Sequence, residues 1–204
     1  HGYEEYHEEL LNKLRGMFAF IIYDKEKQEI FGARDYFGIK PLYYYQNDGE
    51  FMFSSEIKTF LKHPNFKKEF NEETLSSYLA YQFAPLDQCF FKNVYKLPPS
   101  HYFKMNKDGL EIKRYFNFEF KYEDDKSLDY WVEEIKKTMK DSVKAHKISD
   151  VEVGSFLSSG IDSSYIVTLA DVDKTFTVGF DNGEKYNEIS YAEELSNNLG
   201  IKNV

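Results

Sequence analysis

Residues 151–169 read VEVGSFLSSGIDSSYIVTL. Val151 to Leu157 is a mostly apolar run that predicts a buried strand. Ser158-Ser159-Gly160 follows as a turn of small residues. Asp162 and Ser163 then open an apolar-periodic segment (Ile166, Val167, Leu169, Ala170) that predicts a helix. Strand, small-residue turn and helix together offer backbone N–H groups and a helix N-terminus to a phosphate. Small side chains let the phosphate reach the backbone. The turn lacks the Gly-Lys-Ser/Thr end of a Walker loop. It also lacks the Gly-x-Gly-x-x-Gly of a dinucleotide fingerprint. The plain alternative is an ordinary strand-to-helix turn capped by Ser or Asp.

Working outward, Lys174–Phe180 (KTFTVGF) predicts a second strand and Asn187–Leu199 a second helix. Ser127 is a helix cap ahead of Trp131, Ile135, Met139 and Val143. Alternating strands and helices point to a parallel sheet with helices on its faces. Ligands on such sheets lie at the C-terminal strand ends, where Leu157–Ser163 and Val178–Gly179 fall. Between Asn117 and Lys126 the chain turns acidic and loses periodicity, which marks a boundary.

The segment before that boundary reads differently. Glu4–Arg15 predicts one helix with Tyr6, Leu10, Leu11 and Leu14 on one face, stopped at Gly16. Met17–Tyr23 predicts a strand buried on both faces, and Glu29–Ala33 its hairpin partner. After the loop Arg34–Pro41, Leu42–Tyr45 and Phe51–Phe53 flank the turn Asn47-Asp48-Gly49. These four strands predict one meander in a layered fold. The run Tyr43-Tyr44-Tyr45 reads as strand core rather than a base-stacking surface. A short helix starts at Ser54–Lys58, and Asn71 caps another bearing Leu75, Tyr78 and Leu79. Pro85–Pro99, with Cys89, reads as irregular. His101–Met105 and Leu110–Tyr115 form a hairpin around Asn106–Gly109.

Composition limits the function. The 204 residues are 42% hydrophobic and carry a net charge of −9. That charge argues against general binding of nucleic acid or an anionic membrane. A polyphosphate site here has to rely on local donors and metal. A single cysteine leaves no intrachain disulfide and fits a reducing, cytoplasmic setting. No apolar run approaches membrane-spanning length, and the acidic start His1-Gly2-Tyr3-Glu4-Glu5 is not a signal peptide. The chain opens without Met and closes on a helix leading into a strand, so it is expected to be an internal piece of a longer protein.

Ser158-Ser159-Gly160-Ile161-Asp162-Ser163 resembles the Ser-Gly-Gly-x-Asp-Ser loop of the ATP pyrophosphatases, with Ser159 in place of the first glycine. Upstream, Leu14–Phe20, Ala33–Tyr44, Ser54–Lys58 and Lys96–Tyr102 resemble the glutaminase domain of glutamine-hydrolysing asparagine synthetases. Ser100 there replaces the glycine of Leu-Pro-Pro-Gly-His. Asp150–Ser164 and Thr175–Phe180 resemble the start of the synthetase domain. The resemblance implies α+β followed by α/β. Residues 1–118 would be the C-terminal part of an Ntn-type layered glutaminase domain and 119–126 a linker. Residues 127–204 would start a parallel-sheet, adenine nucleotide α-hydrolase-like domain.

The resemblance also implies ATP and Mg²⁺ as cofactors, with aspartate and glutamine as the other small-molecule partners and a homodimer as one assembly. The implied chemistry amidates aspartate to asparagine with ammonia from glutamine, through β-aspartyl-AMP. Ser158, Ser159, Gly160, Asp162 and Ser163 match the pyrophosphate loop, with Asp162 near the metal. Leu157 and Val178 match strand ends beside the adenine and ribose; plain core is their alternative, as a helix cap is for Asp162. Glu188 reads as a cap or solvated helix start. The nucleophile cysteine and glutamine-binding segment are expected upstream of His1, and further aspartate and ATP segments after Val204. Cys89, Arg34 and Asp35 therefore read as structural. β-Lactam synthetases and sugar or peptide amidotransferases share this architecture, and a non-catalytic ATP-binding homologue would keep the loop.

Overall fold

In the computed structural model, which describes residues 1–122, 125–179 and 187–204, the apolar run after Gly16 forms strand β1 (Ala19–Asp24). The polar turn after it returns the chain as β2 (Glu29–Arg34), antiparallel to β1 with Ala19 opposite Arg34. Next come β3 (Tyr43–Asn47) and β4 (Glu50–Ser54), joined by Asp48 (φ 47°) and Gly49 (φ 84°). Two successive positive φ values match the twist of the flanking strands, which is why Asp-Gly serves there. The short β5 (Val94–Lys96) precedes the hairpin β6 (His101–Asn106) and β7 (Gly109–Arg114).

The four predicted meander strands divide between two antiparallel sheets, ordered β1-β2-β6-β7 and β4-β3-β5. Adjacency in sequence does not reveal that β2 pairs with β6 and β3 with β5. Side-chain alternation places Phe31, Ala33 and Tyr102 on one face of the first sheet, against Tyr3 and Leu11. Phe103 leaves the other face and meets Phe51 of the second sheet with ring centroids 5.3 Å apart. The far face of the second sheet packs Tyr45 and Val94 on Phe60, Phe66 and Cys89. The layers are thus a helical segment, two sheets, and the 3-10 helix Ile57–Lys62 with the Cys89 loop.

Three expectations need correction. The N-terminal helix is two pieces, α1 (Gly2–Tyr6) and a 3-10 helix (His7–Lys13), broken where His7 adopts φ 48°. Tyr3 is buried, and Tyr6, expected on the apolar face, is exposed. Strand β1 is not buried on both faces; it ends the strand order of its sheet, and Tyr23 is 53% exposed. Residues 85–99 are not wholly irregular, because β5 pairs with β3. Helix α2 (Glu72–Tyr81) starts where expected, with the Asn71 side chain accepting from the Thr74 N–H, yet Leu79 is 72% exposed.

The loop after β2 folds around one carboxylate. Asp35 accepts from the N–H groups of Phe18, Phe37, Ile39 and Lys40, at 3.0–3.3 Å. The Arg34 guanidinium donates to the carbonyls of Lys40, Leu97 and Gly38. Both side chains are buried and spent on backbone groups, which is a structural role.

Contacts divide the chain into His1–Phe120 and Lys121–Val204. The second unit is α/β. Ser127 caps α3 (Leu128–His146) by accepting from the Tyr130 N–H. Then come β8 (Ser155–Phe156), α4 (Ile161–Ala170), β9 (Lys174–Phe176), α5 (Ile189–Leu199) and β10 (Lys202–Asn203). The sheet is parallel, ordered β10-β9-β8. Leu157, Val167 and Ala192 form one core cluster, and Val143, Ala170 and Val172 another. The Thr175 hydroxyl donates to the Asn203 side-chain oxygen, tying β9 to β10. The predicted strands are shorter than expected: β8 keeps only two residues, with Phe156 79% exposed, and β9 stops at Phe176. The far end of the predicted second strand, Phe180, and Tyr186 lie outside the described residues.

Candidate active site

The Ser158–Ser163 loop joins the C-terminal end of β8 to the N-terminus of α4. Serine hydroxyls hold it in shape. Ser163 Oγ accepts from the Ser158 N–H at 3.2 Å and lies 2.9 Å from Ser158 Oγ. Ser158 Oγ accepts from the Gly160 N–H at 3.2 Å. Gly160 is the N-cap of α4, at φ −71°, and has no side chain to cap with. The first N–H groups of α4 therefore keep the unsatisfied donor character of a helix start. A Cβ on Gly160 would come 3.2 Å from Ser158 Oγ, filling the cradle between the serines. A phosphate oxygen needs that space, so the donors present fit an anion.

A cavity of about 420 Å³ opens beside the loop, lined by Phe156, Leu157, Ser158, Ser163, Phe176, Val178 and Glu188. Of the expected site residues, Leu157, Ser158, Ser163 and Val178 meet there. Ser159, Gly160 and Asp162 belong to the adjoining loop and first helical turn and do not line it. The Leu157 backbone is already used: its N–H donates to Phe176 O and its carbonyl accepts from Thr177 Oγ1. Val178 is 67% exposed, so the alternative of plain core does not describe it.

Glu188 is the residue the sequence reading undervalued. It stands at the N-cap of α5 but makes no side-chain cap bond. Asn187 takes that task, its Oδ1 accepting from the Ile189 N–H. Glu188 Oε2 instead reaches the loop and accepts from the Ser159 N–H at 3.2 Å. The pair Asn187-Glu188 was the available signal: with a good cap at 187, the acid beside it is free to do something else. Phe156 and Phe176 were likewise hidden, since their exposure on the sheet follows from pairing.

Among the described residues, no three His, Cys, Asp or Glu side chains converge as a metal cage. Asp162, exposed in the first turn of α4, is a single carboxylate beside the loop. That fits magnesium, which takes one or two protein carboxylates and keeps phosphate oxygens and waters as its other ligands. In the first unit Cys89 is buried, and burial above all pushes its thiol up to about 11. So high a value leaves almost no thiolate near neutrality, as in a buried structural cysteine.

No helix among the described residues is long and apolar enough to cross a membrane. Residues 1–116 match the family model of the glutamine amidotransferase domain, and residues 134–204 that of asparagine synthase. Asparagine synthetase [glutamine-hydrolyzing] 1 of Bacillus subtilis is 42% identical over 99% of this chain and 32% of its own length. A putative asparagine synthetase 2 of Methanocaldococcus jannaschii is 39% identical over 89% of this chain and 36% of its own. The chain thus spans about a third of the length of these relatives. Among solved structures, the glutamine phosphoribosylpyrophosphate amidotransferase of B. subtilis matches 97% of this chain and 34% of its own, at 16% identity and TM-score 0.34. With more than half of its length in the first model and the second following in order, this chain belongs to the glutamine amidotransferase domain family, joined in one polypeptide to asparagine synthase sequence.

Proposed function

We propose that the whole protein amidates aspartate to asparagine, using ATP and nitrogen released from glutamine. The observation that carries this is the serine-held loop at the C-terminal edge of a parallel sheet, in a chain that also carries an amidotransferase domain. In this reading the loop N–H groups and the Ser158 and Ser163 hydroxyls hold the β and γ phosphates of ATP. The two hydroxyls lie 2.9 Å apart and can rotate towards a phosphate. Leu157 and Val178 flank the nucleoside. Asp162 would hold Mg²⁺, which when bound neutralises phosphate charge.

The chemistry answers an electronic problem. A carboxylate is a poor electrophile, so the aspartate β-carboxylate attacks the α-phosphorus of ATP. Pyrophosphate leaves, and β-aspartyl-AMP forms. Ammonia then attacks the activated carbonyl, giving asparagine and AMP. Keeping water from the adenylate protects it from hydrolysis. Pyrophosphate release by the full-length protein tests this, with Mg-ATP and ammonia, with and without aspartate, in wild type and Asp162→Asn. Aspartate-dependent release accompanied by asparagine, reduced at least about tenfold in the variant, is the expected result. ATP binding without aspartate-dependent release would move the function to another acceptor or to no chemistry.

A further inference from the structure

We propose that Glu188 makes this nucleotide site discriminate metal-complexed from metal-free polyphosphate. The inference rests on the nucleotide-site reading above. Among the described residues lining the cavity, Glu188 carries the one formal charge, and no described Lys or Arg joins it. Its carboxylate already occupies the Ser159 N–H, a donor that a phosphate oxygen would take. A free polyphosphate entering the loop therefore has to displace a group of its own sign and remain beside it. In low-dielectric surroundings that repulsion is large, and at a partly solvated edge it is still appreciable. A divalent cation on the phosphates removes it, and the displaced carboxylate then faces a complex of reduced charge.

Local packing holds Glu188 at this place. A Cβ on Gly179 would fall 2.1 Å from Ile189 Cδ1, so the chain after β9 runs tight against the first residue of α5. Asn187 caps that helix, so the Glu188 carboxylate is not needed to start it. Replacing the carboxylate by an amide of the same shape removes the charge and leaves the cap.

The test is equilibrium binding of ATP to the full-length protein, once with excess Mg²⁺ and once in EDTA, for wild type, Glu188→Gln and Glu188→Ala. Wild type is expected to bind the metal-free form at least about tenfold more weakly, the size of one modest charge repulsion. Both variants should shrink that ratio by a similar factor, chiefly by tightening metal-free binding. Wild type binding both forms equally would overturn the proposal, whatever the variants do. So would variants that keep the wild-type ratio, or that widen it by weakening the magnesium complex. Wild type binding neither form would remove the nucleotide-site reading and this inference with it. An unchanged ratio with clear binding removes the inference alone.

Discussion

Ser100 and Ser159 both stand where the resembling family has glycine, and the backbone treats them differently. Ser159 is not among the described residues with a left-handed backbone, so a side chain is accommodated there without strain. Ser100 has φ 62° and is buried, and its hydroxyl donates to the Tyr36 carbonyl at 2.7 Å. The hydrogen bond offsets a conformation that disfavours a Cβ by about 1–2 kcal/mol. Asp35 is the other decisive residue of this loop. Burial raises its pKa, but four backbone donors outweigh that and hold the carboxyl below its ordinary range. A depressed folded-state value stabilises the fold above the unfolded pKa, and that contribution is lost as pH falls through the folded one. Asp35→Asn is expected to destabilise the protein by about 2–3 kcal/mol at pH 7, because an amide offers one acceptor oxygen to four donors. The deficit should narrow progressively as pH falls below about 4, where the unfolded carboxyl takes up a proton before the folded one does. Urea melts at pH 7 and pH 3 check this; a deficit that is constant with pH would show that the carboxylate charge is not what holds the loop.

Among the elements, β2 shows how sheet packing restricts side chains. A Cβ on Gly32 would lie 2.3 Å from Phe103 Cε1 and 2.7 Å from Ile21 Cδ1. Glycine lets Phe103 of β6 reach across and fill the space between the two sheets. Gly32→Val is expected to destabilise by about 1–3 kcal/mol or more through overpacking. Thermal unfolding against wild type measures it, and a neutral result would place Phe103 outside the core. The hairpins and the capped starts of α2 and α3 were legible in the sequence, because Asp-Gly turns and Asn or Ser caps act through neighbours a few residues away. The break at His7 and strand β5 were not legible. The first follows from seating Tyr3 against Phe31, and the second exists through pairing with β3.

At the scale of the chain, the net charge of −9 over these 204 residues contributes a field that repels free polyphosphate. Salt screens such long-range repulsion within about 10 Å at 0.1 M. Metal-free ATP is therefore expected to bind a few-fold more tightly at about 0.2 M salt than at about 0.02 M. Titrations at the two ionic strengths decide it, and weaker binding at high salt would point to an attractive local field dominating. The sequence by itself determined the order of the two parts, the small-residue turn between β8 and α4 with its serines, and the helix and turn signals around them. Those properties depend on short spacings and on residue chemistry that survives any packing. Only the tertiary structure decided that the meander splits into two sheets, that β1 ends one of them, and that Glu188 turns back onto the Ser159 N–H. Sheet partners and cross-loop contacts join residues far apart in the chain, and the free energy that selects them comes from burial and hydrogen bonds that no local pattern encodes.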